Sequence, residues 1–194
     1  DKGTDYSNPV HRKNMIASVT EMVASFKDEP YVLCWVLGNE SDYSLGCNVK
    51  SKPKAYYEFV NETVKMIHQM DPTRPVAISN GTTDHLDLIA RYAPEVDIFM
   101  INAYYGSRGF GGVWQTVSEK LDRPVIIGEF GCPAYHEGKS QDIAEAEQAY
   151  YLRGCWEDIM ANTAGSKSGV ALGGVAYEWM DEWWKNYDPY LHDR

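Results

Sequence analysis

The sequence is short of basic side chains relative to acidic ones, and it has no long hydrophobic run. Lys and Arg number 18 against 28 Asp and Glu, which gives a net charge of -10. Because phosphate backbones and anionic lipids repel an acidic surface, we expect neither nucleic acid nor a membrane as a partner. The longest uncharged run is too short to span a bilayer. A neutral or weakly charged ligand fits this composition better.

The sequence also lacks the patterns of metal, serine-hydrolase and phosphate-loop sites. Its four cysteines, Cys34, Cys47, Cys132 and Cys155, show no C-x-x-C spacing, and neither H-E-x-x-H nor G-x-S-x-G occurs. Free thiols are therefore expected, with Cys34 inside a buried strand and Cys155 on a helix. We expect no metal site and no bound cofactor.

The 194 residues are 44% hydrophobic, which is enough for one sizeable core, and we expect a single domain over residues 1–194. No low-complexity linker divides the chain. Apolar periodicity and Pro or Gly boundaries predict helices and strands in alternation. The predicted helices cover about residues 9–27, 55–70, 86–93, 113–121 and 141–162. The predicted strands cover about residues 31–37, 76–79, 96–103, 125–129 and 170–179.

This alternation predicts an α/β fold, because the connections are long enough for crossovers between parallel strands. The run over residues 31–37 carries no charge, which is typical of a strand buried on both faces. It ends in Gly38, Asn39 and Glu40. Ligands of parallel α/β sheets bind beyond the carboxyl ends of the strands, so these polar residues lie where a substrate is expected.

A second glutamate, Glu129, follows a later apolar strand in the same way as Glu40. The two are three strand–helix steps apart at about 30 residues per step, which places their strands nearly opposite each other in a closed barrel. Two carboxyl groups about 5–5.5 Å apart are the arrangement of retaining glycoside hydrolysis. Solvated strand-end glutamates are the structural alternative. Asp181, Glu178 and Glu182 compete for the acidic roles.

Aromatic residues make up 13% of the chain, and their flat faces bind sugar rings as well as fill cores. Alternation along the last predicted strand places Glu178 on one side and Tyr177 and Trp179 on the other. Trp179 is expected to face a ligand as a stacking platform, with a core position as the alternative. His136 lies in the loop after Glu129, which is expected to overhang the site.

Four segments resemble motifs of glycoside hydrolase family 2, the family of β-galactosidases, β-glucuronidases and β-mannosidases. Residues 35–41 (WVLGNES) resemble its acid/base segment and residues 127–131 (IGEFG) its nucleophile segment. Residues 102–106 (NAYYG) resemble the sixth-strand segment of the β-glucuronidases, and residues 173–181 (GGVAYEWMD) resemble the last barrel strand. In this order and spacing, the resemblance covers nearly the whole chain.

The resemblance implies a retaining β-glycosidase with Glu40 as general acid/base and Glu129 as nucleophile. It also implies that Asn39 hydrogen-bonds the sugar 2-hydroxyl and that Tyr104 holds the nucleophile through its phenol, with Asn102 as a further substrate-binding residue. Two alternatives stay open. One is an inactive carbohydrate-binding or scaffold fragment, and the other is a transglycosylase or endo-glycanase with the same two glutamates.

The implied fold is a (β/α)8 TIM barrel, of which this chain supplies about strands four to eight. A complete barrel needs about 250 residues, so a partial barrel with an open sheet edge is expected. The missing N-terminal barrel strands or another copy of the chain would cover that edge. Partial, altered or absent activity is therefore expected of the chain alone. Ala103 beside Asn102 speaks mildly against a glucuronide substrate.

Overall fold

The computed structural model describes residues 4–43, 49–165 and 169–182. Within these ranges the chain forms five helices and five strands in alternation. The helices are α1 (Pro9–Phe26), α2 (Pro53–Met70), α3 (Leu86–Tyr92), α4 (Val113–Lys120) and α5 (Gln141–Ala161). The strands are β1 (Trp35–Leu37), β2 (Val76–Asn80), β3 (Ile98–Asn102), β4 (Val125–Phe130) and β5 (Ala171–Ala176). None of the helices in the described ranges is long and apolar enough to cross a membrane.

All five strands are parallel and form one sheet in the order β1-β2-β3-β4-β5. Sequential order with a helix between each pair is the strand order of a (β/α) barrel, and it agrees with the predicted alternation. Every residue of β2 is buried, and four of the five residues of β3 are buried. These central strands are covered on both faces, as apolar runs in parallel sheets are.

The start of α1 and the packing of α2 follow from their sequences. Asn8 caps α1 because its side chain accepts a hydrogen bond from the Val10 backbone N–H at 2.9 Å, and Pro9 follows at the first helical position. One face of α2 is buried, and its residues Tyr57, Val64 and Ile67 are inaccessible to solvent. This face joins the sheet in the hydrophobic core.

The prediction of a buried strand over residues 31–37 is wrong. The strand covers only Trp35–Leu37, and the side chains of Tyr31 and Leu33 are 71% and 80% exposed. In the described residues β1 pairs only with β2, so it is an edge strand. The segment before it is fixed instead by Arg74, whose Nε donates to the Val32 carbonyl at 2.8 Å.

The shorter β1 also changes the expected environment of the cysteines. Cys34 precedes the strand and is only partly buried, whereas Cys155 is fully buried in α5 as predicted. Cys132 is partly buried, and Cys47 lies outside the described residues. Where a cysteine is partly buried, as at Cys34, desolvation of the thiolate raises the thiol pKa above its usual value.

The last strand is also shorter than predicted, because β5 ends at Ala176 and not at Trp179. Glu178 and Trp179 follow the strand, so its alternation does not set their directions. The ends of β4 and β5 approach each other closely at Gly131, where an added Cβ would lie 1.9 Å from the Tyr177 carbonyl oxygen. The Tyr177 N–H donates to the Phe130 carbonyl at 2.8 Å. Only glycine fits at position 131.

Candidate active site

The candidate site lies at the carboxyl ends of the parallel strands. Glu40 follows β1, Asn102 ends β3, Tyr104 follows it, and Glu129 is the penultimate residue of β4. Because all strands run in the same direction, these side chains share one edge of the sheet. The elements therefore bring residues that are far apart in sequence to one side of the molecule.

Asn39 and Asn102 are hydrogen-bonded to each other at the carboxyl ends of the strands. Asn102 Nδ2 donates to Asn39 Oδ1 at 3.0 Å, and Ser79 Oγ lies 3.5 Å from Asn102 Oδ1. Asn102 is buried, whereas Asn39 is exposed. A Cβ at position 128 would lie 2.7 Å from Asn102 Oδ1, so Gly128 leaves the space that this amide occupies. The Asn102 amide is thereby oriented, and it in turn orients the exposed amide of Asn39.

Tyr104 and Glu129 form the second contact of the site. Tyr104 Oη donates a hydrogen bond to Glu129 Oε2 at 2.7 Å. The backbone supports this pair, because the Ala103 N–H donates to the Glu129 carbonyl at 2.8 Å. The register of β3 against β4 shifts between Ile101 and Asn102, next to this pair. The phenol therefore meets the carboxylate at an irregularity where the two strands leave the regular ladder.

The Tyr104 phenol holds its proton strongly. Partial burial, followed by the hydrogen bond to Glu129, raises the pKa of Tyr104 well above its usual value, and the negative charges of Glu129 and Glu40 and the neighbouring Tyr177 phenol raise it further. The Tyr104 phenol therefore stays protonated at neutral pH and can donate to a carboxylate. Both candidate carboxylates therefore contribute to the raised pKa of Tyr104.

Glu40 is held in a tight turn. Its φ of 51° lies in the left-handed region, and its N–H donates to the Ser79 carbonyl at 3.1 Å. Gly38, with φ of 71°, precedes it, and a Cβ there would lie 2.8 Å from Ser41 Oγ. Glu40 therefore follows β1 through a turn rather than ending the strand directly, and it lies against the end of β2.

Trp179 and Asp181, both candidate site residues from the sequence, differ in their surroundings. Trp179 is fully exposed, so the alternative of a core tryptophan is wrong. Asp181 accepts hydrogen bonds from the backbone N–H groups of Ala134 at 3.0 Å and Tyr135 at 2.8 Å. Asp181 thus anchors the loop after β4, and both of its carboxylate oxygens are occupied there.

His136 lies in that loop but pairs with α5. Its Nε2 is 3.8 Å from Glu147 Oε2, and Lys139 Nζ donates to the same oxygen at 2.5 Å. The side chain lines a cavity of about 590 Å³ together with Cys132, Ile143 and Tyr151. His136 therefore lies beside the ion pair between Lys139, in the same loop, and Glu147 on α5.

Sequence reasoning missed Asp42, which is buried two residues after Glu40. Its carboxylate accepts hydrogen bonds from the turn after β2. In the sequence it is one more polar residue of a loop, and no periodicity identifies it as buried. Groups of three or more His, Cys, Asp or Glu side chains that could hold a metal ion are absent from the described ranges.

Parallel strands in sequential order, with two carboxylates and a tyrosine at their carboxyl ends, define a (β/α)-barrel protein with an acidic site at the barrel mouth. The sequence profile of "Glycosyl hydrolases family 2, TIM barrel domain" matches residues 3–189. The chain belongs to this family. The predicted family and the predicted partial (β/α)8 TIM barrel are both confirmed.

Curated relatives include a β-glucuronidase of Canis lupus familiaris, 28% identical in an alignment 187 residues long that covers 91% of this chain and 27% of that protein. A β-galactosidase of Lactococcus lactis subsp. lactis (strain IL1403) is 30% identical in an alignment 130 residues long that covers 64% of this chain and 11% of that protein. The chain thus spans about a quarter or less of the length of these relatives.

Solved structures share the fold at lower identity. A β-D-glucuronidase of Dictyoglomus thermophilum superposes with a TM-score of 0.63 at 19% identity, over 88% of this chain and 29% of that chain. A β-glucuronidase of Bacteroides uniformis gives a TM-score of 0.64 at 18% identity, over 90% of this chain and 22% of that chain. These likenesses support the barrel fold.

Proposed function

We propose that the chain carries the catalytic residues of a retaining β-glycosidase, which hydrolyses β-linked glycosides through a covalent glycosyl-enzyme intermediate. The hydrogen bond from Tyr104 to Glu129, 2.7 Å long, carries this proposal. A nucleophilic carboxylate must be held in one orientation, and the hydrogen bond from a protonated phenol does this. Membership of the family supports the same assignment.

In the first step, Glu129 attacks the anomeric carbon and the bond from that carbon to the leaving-group oxygen breaks. Glu40 donates its proton to this oxygen, so the leaving group departs as a neutral alcohol. In the second step, the ionised Glu40 takes a proton from water, and the water oxygen attacks the anomeric carbon. Glu129 then departs as a carboxylate, and the configuration at that carbon is retained.

The remaining side chains of the site bind the sugar. Asn39 is exposed and oriented by Asn102, so its amide is available to the 2-hydroxyl of the sugar. Hydrogen bonds to this hydroxyl strengthen in the oxocarbenium-like transition state, which makes them contribute to rate. The fully exposed face of Trp179 provides a platform on which a sugar ring can stack.

The proposed substrate class is β-linked glycosides in general. The relatives bear the names of a β-glucuronidase and a β-galactosidase, which differ in whether the sugar carries a carboxylate. Ala103 supplies no positive charge beside Asn102, and this favours neutral sugars over glucuronides. Measuring kcat/KM for a panel of aryl β-galactosides, β-mannosides, β-glucosides and β-glucuronides would rank these substrate classes.

A mechanism-based 2-fluoroglycoside tests the proposal directly. The fluorine slows hydrolysis of the glycosyl-enzyme, so the sugar should accumulate as an ester on one side chain. We expect mass spectrometry of peptides from the labelled full chain to place the sugar on Glu129. The Glu129→Gln variant, which keeps the shape but lacks the nucleophile, should take up no label.

Asp181 provides the matched acidic control, because its oxygens are bound to backbone N–H groups. The sugar should not be found there. Labelling at Asp181 or any other carboxylate, or full turnover by Glu129→Gln, would contradict the assignment. Sugar binding without label or hydrolysis would identify a carbohydrate-binding fragment instead. Transfer of the glycosyl group to an added alcohol in preference to water would identify a transglycosylase.

A further inference from the structure

We propose that Asp42 is a positioning residue, which acts by holding the turn that carries Glu40 against the end of β2. The proposal rests on the assigned role of Glu40 as acid/base. It concerns a residue that lies outside the set predicted from sequence. Three contacts support it, and they join the turn after β1 to the end of β2 or to the turn that follows β2.

The first contact is made by the Asp42 carboxylate itself. Asp42 is only 3% exposed, and its Oδ1 accepts a hydrogen bond from the Gly81 N–H at 2.7 Å. Its Oδ2 accepts from the Thr82 N–H at 3.0 Å and from Thr82 Oγ1 at 2.8 Å. Both oxygens are therefore bonded to the neighbouring turn, and Asp42 is engaged as an anchor rather than free for acid–base chemistry.

The second contact is the backbone of Glu40. Its N–H donates to the Ser79 carbonyl at 3.1 Å, and its own carbonyl accepts from the Tyr43 N–H at 3.0 Å. The left-handed φ of Glu40, 51°, is unfavourable for a residue with a side chain, because the Cβ lies too close to the backbone. Such a conformation persists only where the surroundings impose it, and Asp42 lies within this same turn.

The third contact is steric and involves Gly81. A Cβ added to Gly81 would lie 2.9 Å from Tyr43 Cβ and 3.5 Å from Glu40 Cγ. The backbone of the second turn therefore packs directly against the side chain of Glu40. The Asp42 hydrogen bond to the Gly81 N–H holds this surface in place, and it thereby limits where the Glu40 carboxyl group can move.

A general acid acts only within hydrogen-bond reach of the oxygen that it protonates. A misplacement of about 1 Å can cost about 10²-fold in rate. If Asp42 positions Glu40, its loss should therefore slow the reaction most where protonation of the leaving group matters most. Glycosides with alkyl leaving groups need this protonation, whereas dinitrophenyl glycosides release a stable phenolate without it.

The experiment compares wild-type full chain with Asp42→Asn and Asp42→Ala, using an alkyl and a dinitrophenyl β-glycoside of the same sugar. We expect kcat/KM for the alkyl glycoside to fall about 10²-fold in Asp42→Ala and less in Asp42→Asn, which retains one oxygen acceptor. The value for the dinitrophenyl glycoside should stay near wild type. Thr82→Val, which removes one donor, is the milder variant if the Asp42 variants do not fold.

Asp84 supplies the matched control, because it is an exposed carboxylate on the same turn. Asp84→Asn should behave as wild type with both glycosides. Equal losses with both glycosides in the Asp42 variants would overturn the positioning role, since a general loss of folded protein affects both reactions alike. Unchanged activity with both would overturn it as well.

Amide hydrogen exchange separates this inference from the proposed function. Labelling of a carboxylate other than Glu129 by the 2-fluoroglycoside contradicts the proposed function, and exchange then decides the role of Asp42. Faster exchange in Asp42→Ala confined to residues 39–43 and 79–83 supports the anchoring of the Glu40 turn. The anchoring role is overturned if exchange in these two segments is unchanged. It is also overturned if exchange in β3 becomes faster by the same factor.

Discussion

The Tyr104 phenol is the side chain that connects the proposed nucleophile to the rest of the site. It donates to Glu129 at 2.7 Å, and its pKa is raised first by partial burial and then by that hydrogen bond. Because the raised pKa keeps the proton on the phenol, the donor persists across the neutral pH range. At the scale of single residues, the proposed chemistry depends on the hydrogen bond from Tyr104 to the Glu129 carboxylate.

Replacing Tyr104 with Phe should lower kcat by about 10- to 100-fold, since a hydrogen bond to a charged group contributes about 1.5–3 kcal/mol. The ring and its packing remain, so only the donor is lost. Steady-state kinetics on an aryl β-glycoside measure the effect. Tyr105→Phe is the matched control, because Tyr105 is adjacent and exposed. Equal kinetics for the two variants would exclude the Tyr104 phenol from catalysis.

The residues of the site differ in how far the sequence reveals them. Asn39, Glu40 and Glu129 are suggested by residue type at strand ends, because strand direction places such residues at one edge. In the sequence Asp42 looks like an ordinary loop acid, and Asp181 is one of several acids that compete for a role in catalysis. Only the folded chain shows that their oxygens accept backbone N–H groups of distant turns. Hydrogen bonds between loops depend on geometry that periodicity does not encode.

At the scale of elements, β1 is fixed by a polar network rather than by a long strand. Trp35 Nε1 donates to Asp71 Oδ2 at 3.0 Å, and Arg74 Nη1 lies 3.0 Å from the same oxygen. Arg74 also donates to the carbonyls of Val32 at 2.8 Å and Glu29 at 2.7 Å. The network ties the segment before β1 to the end of α2. The strand that leads to Glu40 is thereby positioned.

Replacing Asp71 with Asn should lower the free energy of unfolding by about 2 kcal/mol, because Trp35, Thr73 and Arg74 lose a charged acceptor in a buried place. Urea denaturation followed by tryptophan fluorescence measures this change. Asp87→Asn is the control, since the ion pair of Asp87 with Lys120 is exposed and should contribute less than about 0.5 kcal/mol. Similar losses in the two variants would mean that the Asp71 network does not stabilise the fold.

The same network predicts that the free energy of unfolding depends on pH. Burial alone would raise the pKa of Asp71, but hydrogen bonds from Thr73, Trp35 and Arg74 outweigh it and hold this pKa well below its ordinary value. A carboxyl group with a lowered pKa in the folded state contributes stability above its unfolded pKa of about 3.9, and loses it as the pH falls through the folded value. The stability difference between wild type and Asp71→Asn should therefore narrow below about pH 4.

At the scale of the whole molecule, the sheet has an open edge at β1 within the described residues. Exposed apolar side chains, those of Tyr31, Leu33 and Val36, lie in and before this strand. Unpaired backbone groups beside apolar side chains favour pairing with another strand. We propose that further barrel strands or a second copy of the chain cover this edge and complete the wall of the site.

The chain by itself should therefore self-associate through β1. Sedimentation velocity over a range of concentrations should show a shift to larger species, and Leu33→Lys should reduce this shift because a charge opposes edge pairing. Ile143→Lys is the matched control, since Ile143 is an exposed apolar residue on α5. A chain that stays monomeric throughout, or an equal effect of the two lysine variants, would contradict association through this edge.

The sequence alone determined the alternation of helices and strands and the candidate glutamates, because periodicity and proline boundaries are local properties. The connections, which are long enough for crossovers, also predicted the parallel sheet. Motif order also revealed the family, which the comparison confirmed. The tertiary structure decided how much of the apolar run over residues 31–37 is a strand, and which polar side chains form hydrogen bonds with each other. An uncharged run predicts burial only if neighbours cover it, and β1 has a neighbour on one side only in the described residues. Likewise, the anchoring of Glu40 depends on two turns that are adjacent only in the folded chain.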